Sequence, residues 1–470
     1  MGALERAFQL IDEADPEKTL PPCLIQQIVI DSAALTKVVD VVKNYMPLKA
    51  KIGLLVDNKY IYKKHIDVKE FIFNSLFEKF DVHKIVLEDE YEELHASEEI
   101  IATAIEKARG IVGLVSLGGG TITDIGKMTS VGLGGIPHVV IQTAASVDGY
   151  SDNVSVILIN GVKRTVPSRW PEALIADTEL IAEAPMLMNR AGYGEINSMF
   201  TATADWRIAA LLGFERKFHW APIKLLQGVG EGIEEWAPGL KSSEISATEK
   251  LVNALAIRGI VTGVADTTAC LSGIEHLISH MLDMYQGANH LQIGQHGAQV
   301  GVGSIYAAAI WELIFEKLPK IEDFSYLPSK DLLKRKVYDA FENLDSTNSL
   351  AHECWKDYEQ KLDFWMSNIE SIRITLKDLN LKSDELRSLV KTPEEIIFGL
   401  VSSGSPVAFS DLEPLIDEKI GYWAVKNSHL MRNRFVGIDL LEFLGIWTEV
   451  EIHKVFSRVS QLISKHGVKV

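Results

Sequence analysis

Short runs of apolar, β-branched residues recur through the first 185 positions, each followed by a stretch with helical spacing. The runs are CLIQQIVID (23–31), KIGLLVDNK (51–59), HKIVLED (83–89), GIVGLVSLG (110–118) and HVVIQTA (138–144). Between them lie KEFIFNSLFEKF (69–80) and SEEIIATAIEKARG (97–110), whose apolar residues follow one helical face. This alternation predicts a mostly parallel sheet with helices on both faces. NVSVILINGVKRTV (153–166) and EALIADTELIA (172–182) add shorter strands near the end of the region.

From about residue 186 the period changes. NSMFTATADWRIAALLG, ATEKLVNALAIRGIVTGVA, EHLISHMLDMY and CWKDYEQKLDFWMSNIESI all repeat with the helical spacing, and strand-like runs almost vanish. The pattern predicts two domains, an α/β domain over 1–185 and an all-helical domain over 186–470. The boundary falls near EAPMLMNRAGYGE, and a cleft between two such halves is the expected ligand site. There is no internal repeat and no low-complexity tract.

The fourth apolar run ends in VSLGGGTITDIGK (115–127). Gly118, Gly119 and Gly120 leave bare backbone at the carboxyl end of a strand. The helix that follows offers free N–H groups and a positive dipole end to a phosphate. Ligands of parallel sheets sit at that end of the strands. Asp124 falls in the first turn of this helix, where it caps the helix or holds a ribose or amide. The usual dinucleotide fingerprint G-x-G-x-x-G is absent, and Gly228, Gly230 and Gly232 follow no strand. Asp57, just after IGLLV in the second run, stands where an acid could meet an adenosine ribose, or serves as a plain turn residue before Asn58.

The helical half carries SGIEHLISHMLDM, with His276 and His280 one turn apart on the same face. NHLQIGQHGAQVGVG follows with His290 and His296, and Glu195 lies upstream in RAGYGEINSMF. Two imidazoles and a carboxylate suit a divalent ion with a position left open for substrate. The spacing leaves open whether both members of the His276/His280 pair bind, or one His from each element.

Composition narrows the classes. Of the 470 residues, 47% are hydrophobic and 24% charged, as in a folded globular protein. A formal net charge of −17 argues against a nucleic-acid partner. Cys23, Cys270 and Cys354 are too few and too scattered for a disulfide framework, which fits a reducing compartment. The first residues lack an apolar signal segment, and Arg6 stands where a myristoylation signal needs Ser or Thr. The longest uncharged run, 128–147, is broken by glycines and Pro137, so no membrane span is expected. A cytoplasmic location is expected.

GGGTITDIGK, QTAASVDGYSDNVSVI, GVKRTVPSRWPEALIADTEL, AGYGE, SGIEHLISH and HGAQVGVGSI occur in an order that resembles the iron-containing alcohol dehydrogenase and glycerol dehydrogenase superfamily. The wording is most similar to sn-glycerol-1-phosphate dehydrogenases. HLMRNRFVGIDLLEFLGIW resembles the tail of their longer bacterial, AraM-like branch. The likeness runs from about residue 25 nearly to the end.

The resemblance implies a Rossmann-like NAD(P) domain followed by a helical metal domain, the dehydroquinate synthase-like arrangement. It implies that Gly118, Gly119, Gly120 and Thr121 take the pyrophosphate. Asp124 and Thr143 would serve the nicotinamide side and Asp57 the adenosine, with Ser146 also binding the cofactor. Lys163 would lie near cofactor or phosphate, with Arg164 and Arg169 as further cations. Glu195, His276 and His296 would bind one zinc, iron or nickel ion. Asp148 and His280 would be the catalytic residues facing a small phosphorylated polyol or ketone.

NAD or NADP would be the cofactor, with the acid at Asp57 disfavouring a 2′-phosphate. The implied reaction interconverts sn-glycerol 1-phosphate and dihydroxyacetone phosphate, and a homo-oligomer is implied. Glu195 replaces the Asp of that branch, Ala298 the Glu of an HGE motif, and Gln142 a Pro whose loss should loosen a nicotinamide-side loop. Glu195 also suits a sugar-phosphate cyclase of the dehydroquinate synthase type. The change at Ala298 suits a non-catalytic family member.

Overall fold

The computed structural model describes residues 2–89, 94–159, 162–321, 324–379 and 383–467. They fall into two compact units: Met1–Gly192 with Lys224–Asp266, and Tyr193–Ile223 with Thr267–Val470.

The first unit is built on a sheet. Its strands are β1 (Gln27–Asp31), β2 (Lys51–Asp57), β3 (Tyr62–Lys63), β4 (Ile66–Asp67), β5 (Asp81–Leu87), β6 (Leu114–Gly118), β7 (His138–Gln142), β8 (Val154–Ile159), β9 (Val162–Pro167) and β10 (Ala173–Asp177). Six of them form one parallel sheet in the order β1-β10-β7-β6-β2-β5, while β3/β4 and β8/β9 pair as antiparallel hairpins.

Position in the sheet explains the sequence pattern. The inner strands β6, β7 and β10 are buried at every residue, which is why they read as unbroken apolar runs. The edge strand β5 mixes exposed, half-buried and buried positions. Successive residues of β2 feed opposite faces: Ile52, Leu54 and Val56 join one core, and Leu55 joins the other.

The strand order also locates a ligand crevice. From β2 the chain crosses through helix Val68–Phe77 to β5 on one side. From β6 it crosses through helix Gly120–Gly132 to β7 on the other. The direction of winding reverses between β2 and β6, so their carboxyl ends splay apart. Asp57 ends β2 and Gly118 ends β6. The helix Ile245–Ala265 also belongs to this unit and packs near β1. Its Gly259 and Gly263 face Ser151 and Trp170, where an added Cβ would come within 2.3 and 2.2 Å of those side chains.

The second unit is helical. Ile274–Ala288 and His296–Lys317 pack against each other at its centre. Their close approach uses a small residue, since a Cβ on Gly303 would fall 2.7 Å from the Glu275 carbonyl oxygen; likewise, one on Gly194 of helix Met186–Ile196 would fall 2.2 Å from that of Gly297. Among the described residues, one helical stretch, His296–Lys320, is long and apolar enough to cross a bilayer. It is 89% buried over its most apolar window, as the central helix of this unit must be.

Candidate active site residues

The triple glycine resolves into three different roles. Gly119 has extended backbone and caps the helix Gly120–Gly132, where the Thr123 N–H donates to its carbonyl at 3.1 Å. A Cβ on Gly118 would strike Ile122 at 2.7 Å, and one on Gly120 would strike Val147 at 2.8 Å. Both are glycine because the protein itself crowds them. A Cβ on Gly119 would meet nothing nearer than the Tyr150 hydroxyl, at 4.0 Å. Internal packing therefore does not require a glycine there, whereas close approach of a ligand would. The first N–H groups of the helix are the donors a phosphate would use.

Neighbouring groups hold this turn. The Thr143 N–H donates to the Gly118 carbonyl at 3.2 Å. Gln142, expected to loosen the following loop, ties it instead, because its buried amide donates to the Ala144 carbonyl at 3.0 Å. The Tyr150 hydroxyl donates to the same carbonyl at 2.9 Å and also meets the Ser146 side chain.

Lys127, fully buried one turn after Asp124, bonds Asp152 at 2.7 Å, Asp124 at 3.0 Å and the Gly149 carbonyl at 2.9 Å. Asp124 accepts from the Val156 N–H at 3.1 Å as well, so its carboxylate fastens the β8/β9 hairpin to the helix. Burial, partly offset by Lys127, pushes the Asp124 carboxyl up and brings Asp152 to about 6.

The other expected residues are placed as follows. Asp57 pairs with Lys69 and accepts the Lys59 N–H at 3.1 Å. Asp148 accepts from buried Arg258, at 3.1 Å from Nε and 3.0 Å from Nη2. No sequence signal singled out Arg258, which lies mid-helix among apolar residues. Arg169 bonds Ser130, the Ile136 carbonyl and Glu172, a set of ties within the fold. Lys163 is on β9, and its side chain lies outside the described residues.

In the helical unit, Glu195 comes from the end of helix Met186–Ile196, His276 from the first turn of Ile274–Ala288, and His296 from the first residue of His296–Lys317. One donor atom from each lies within 4.8 Å of the others. His276 Nε2 is 3.2 Å from one Glu195 oxygen, and His296 Nε2 is 3.8 Å from the other. The grouping takes one His from each element. His280 is adjacent, with ring centroids 6.5 Å from His276 and 5.8 Å from His296. His290 is exposed, with a positive φ of 53°.

The back of each ring is held. His276 Nδ1 bonds Glu275 Oε1 at 3.0 Å, and Glu275 accepts from the Gly273 N–H at 2.6 Å and from Thr201 at 2.7 Å. His296 Nδ1 meets Ser279 Oγ at 3.1 Å, and Ser279 donates to Gln299 at 2.7 Å. Anchoring both Nδ1 atoms turns the Nε2 atoms toward Glu195, the donor set and ring orientation that a divalent ion takes. Burial works against a charged His276, but the Glu195 and Glu275 carboxylates outweigh it and raise the imidazole to about 9. Two acids thus make the cluster attractive to positive charge. Glu275, Ser279 and Gln299 were not expected, although Glu275 directly precedes His276.

A family model described as iron-containing alcohol dehydrogenase matches residues 29–185. The glycerol-1-phosphate dehydrogenase (NAD(P)+) of Pyrococcus furiosus is 32% identical over 256 residues, covering 52% of this chain and 69% of that protein. The protein of the same name from Bacillus velezensis is 29% identical over 343 residues, 73% of each chain. Among solved structures, glycerol dehydrogenase from Schizosaccharomyces pombe has a similar fold, with a TM-score of 0.58 at 14% identity over 96% of this chain and 93% of that one. The chain belongs to the iron-containing alcohol dehydrogenase family, within the group of the glycerol-1-phosphate dehydrogenases, and is an oxidoreductase.

Proposed function

We propose that the protein is a metal-dependent, NAD(P)-linked dehydrogenase that interconverts sn-glycerol 1-phosphate, or a close polyol phosphate, with dihydroxyacetone phosphate. The observation that carries this reading is the Glu195/His276/His296 cluster with both rings anchored from behind. Its context is a chain whose relatives are named for that reaction. When bound, a divalent ion polarises the C2 oxygen of the substrate and a nicotinamide exchanges hydride with C2.

The chain's own residues supply position and charge. Gly119 and the N–H groups after it receive the dinucleotide phosphates. Thr143 and Ser146 shape the nicotinamide side of the turn. Arg258 holds the Asp148 carboxylate in one orientation, and Asp148 is placed on the substrate side of the proposed site. His280 stands beside the cluster as the second polar group toward substrate. Zinc, iron and nickel all suit one carboxylate and two imidazoles.

The test is direct. Purified protein given dihydroxyacetone phosphate and NADH or NADPH should lose absorbance at the nicotinamide band. Chelation should stop the reaction, and adding back a divalent ion should restore it. Release of inorganic phosphate without net change in the nicotinamide would instead identify the sugar-phosphate cyclase that Glu195 also suits.

A further inference from the structure

The helical unit contains a second polar feature, a cavity of about 230 Å³. Asp205, Glu215, Thr267, Ser272, Asn433 and Arg434 line it. Arg434 is partly buried, and its guanidinium donates to the Ser272 carbonyl at 2.6 Å and to Thr268 Oγ1 at 2.7 Å. Both acceptors are neutral. Among the described residues Arg434 makes no ion pair, and the N–H donors not spent on those two bonds remain for a ligand.

The neighbouring acids do not take that role. Asp205 uses its two oxygens on the Ile274 and Gly437 N–H groups, each at 2.9 Å, so it caps two helices. Glu215 sits half-buried and accepts the Lys217 N–H at 2.7 Å. Burial draws the Arg434 pKa down, with partial relief from charges around it, which is the mark of a cation short of counter-charge. The main chain at Arg434 is fixed in turn. Its carbonyl accepts from buried Lys361 at 3.2 Å, and Lys361 pairs with buried Asp439 at 2.8 Å. A guanidinium set on a rigid segment, facing hydroxyl and amide side chains, is preorganised for a tetrahedral oxyanion.

We propose that this cavity is a small-oxyanion site, built around Arg434 to hold a phosphoryl group. The group comes either from the substrate or from a free phosphate anion, and the experiment separates the two. Full-length protein carrying its metal, with NAD+ present to fill the glycine turn, is titrated calorimetrically with inorganic phosphate at constant ionic strength. Arg434→Met should weaken phosphate binding at least tenfold. Asn433→Asp places a carboxylate in the cavity at an exposed position, and should weaken binding several-fold with no change in melting temperature. This binding arm stands whether or not the protein is a dehydrogenase.

The source is read from kinetics, which rest on the dehydrogenase reading. If the substrate supplies the group, KM for dihydroxyacetone phosphate rises at least tenfold in Arg434→Met and several-fold in Asn433→Asp, while KM for unphosphorylated dihydroxyacetone is unchanged in both. If a free anion supplies it, both KM values hold while phosphate binding falls. Absence of phosphate binding to the parent protein, or binding that neither variant weakens, overturns the proposal.

Discussion

The two units solve their binding problems in opposite ways. In the sheet unit the candidate site is backbone: a glycine with no internal reason to be glycine, followed by the open N–H groups of one helix. In the helical unit it is three side chains from three elements, with 81 residues separating Glu195 from His276. A backbone site spreads its binding over several N–H groups and degrades by degrees. A side-chain site concentrates it, so loss of one donor removes most of the ion's affinity. The contrast predicts how unequal the effects of substitution should be.

The largest effect should come from the side-chain site. His276→Ala or His296→Ala should leave purified protein with almost no bound metal and lower turnover by about a thousandfold. Dinucleotide affinity should stay within about twofold, because the turn proposed to bind it is separate chemistry. Elemental analysis beside a cofactor-binding titration checks both halves. Equal loss of metal and dinucleotide would break the comparison.

Glu275→Gln comes next. It keeps the shape but removes the charge behind His276, and should weaken metal affinity by about 10- to 100-fold, read by competition with a chelator of known strength. Gly119→Ala should be milder still. Its new Cβ meets nothing nearer than the Tyr150 hydroxyl at 4.0 Å, so melting temperature and metal content should hold while dinucleotide Kd rises about tenfold. Gly120→Ala sharpens the contrast, since its Cβ meets Val147 at 2.8 Å and should cost stability as well. A Gly119→Ala protein that binds dinucleotide normally would remove the turn from the site.

The smallest effect concerns acid stability. His138 is fully buried at the start of β7, its Nε2 bonded to Ser116 Oγ at 2.8 Å, and burial together with the Lys127 and Arg169 cations lowers its pKa to about 3. The folded value lies below the ordinary 6.5, so the unfolded chain takes up the proton first. The stability this confers is complete above pH 6.5 and is lost as pH falls toward 3. Between pH 7 and 5 the cost is on the order of 1–2 kcal/mol. Denaturant unfolding at the two pH values should show it, and His138→Gln should flatten the slope.

Much of the first unit was legible in the sequence because its signals are local. Buried parallel strands read as apolar runs, and the glycines that end β6 follow directly. What the sequence did not reveal is that crowding by Ile122 and Val147 accounts for two of the three glycines. Periodicity reports a helix but not its partner, so nothing in ATEKLVNALAIRGIVTGVA shows that Ile245–Ala265 packs with the sheet unit.

The metal-site candidates were less readable from spacing, which left the His276/His280 pair and the His276/His296 pair equally open. The groups behind them were not readable at all. Glu275, Ser279 and Gln299 matter because of where tertiary packing puts their oxygens. Lys127 and Arg258 are charges on buried helix faces, places where a pattern of apolar and polar positions does not expect them.

Hydride exchange between a nicotinamide and C2 of a phosphorylated triose should depend on the Glu195/His276/His296 cluster. Its most direct test is isotopic: NADH deuterated at the transferable C4 position is given with dihydroxyacetone phosphate, and the product is examined by mass spectrometry and NMR. One deuterium should appear on C2 of glycerol phosphate with the parent protein and none with His276→Ala. A product without deuterium, or equal transfer in His276→Ala, would contradict it.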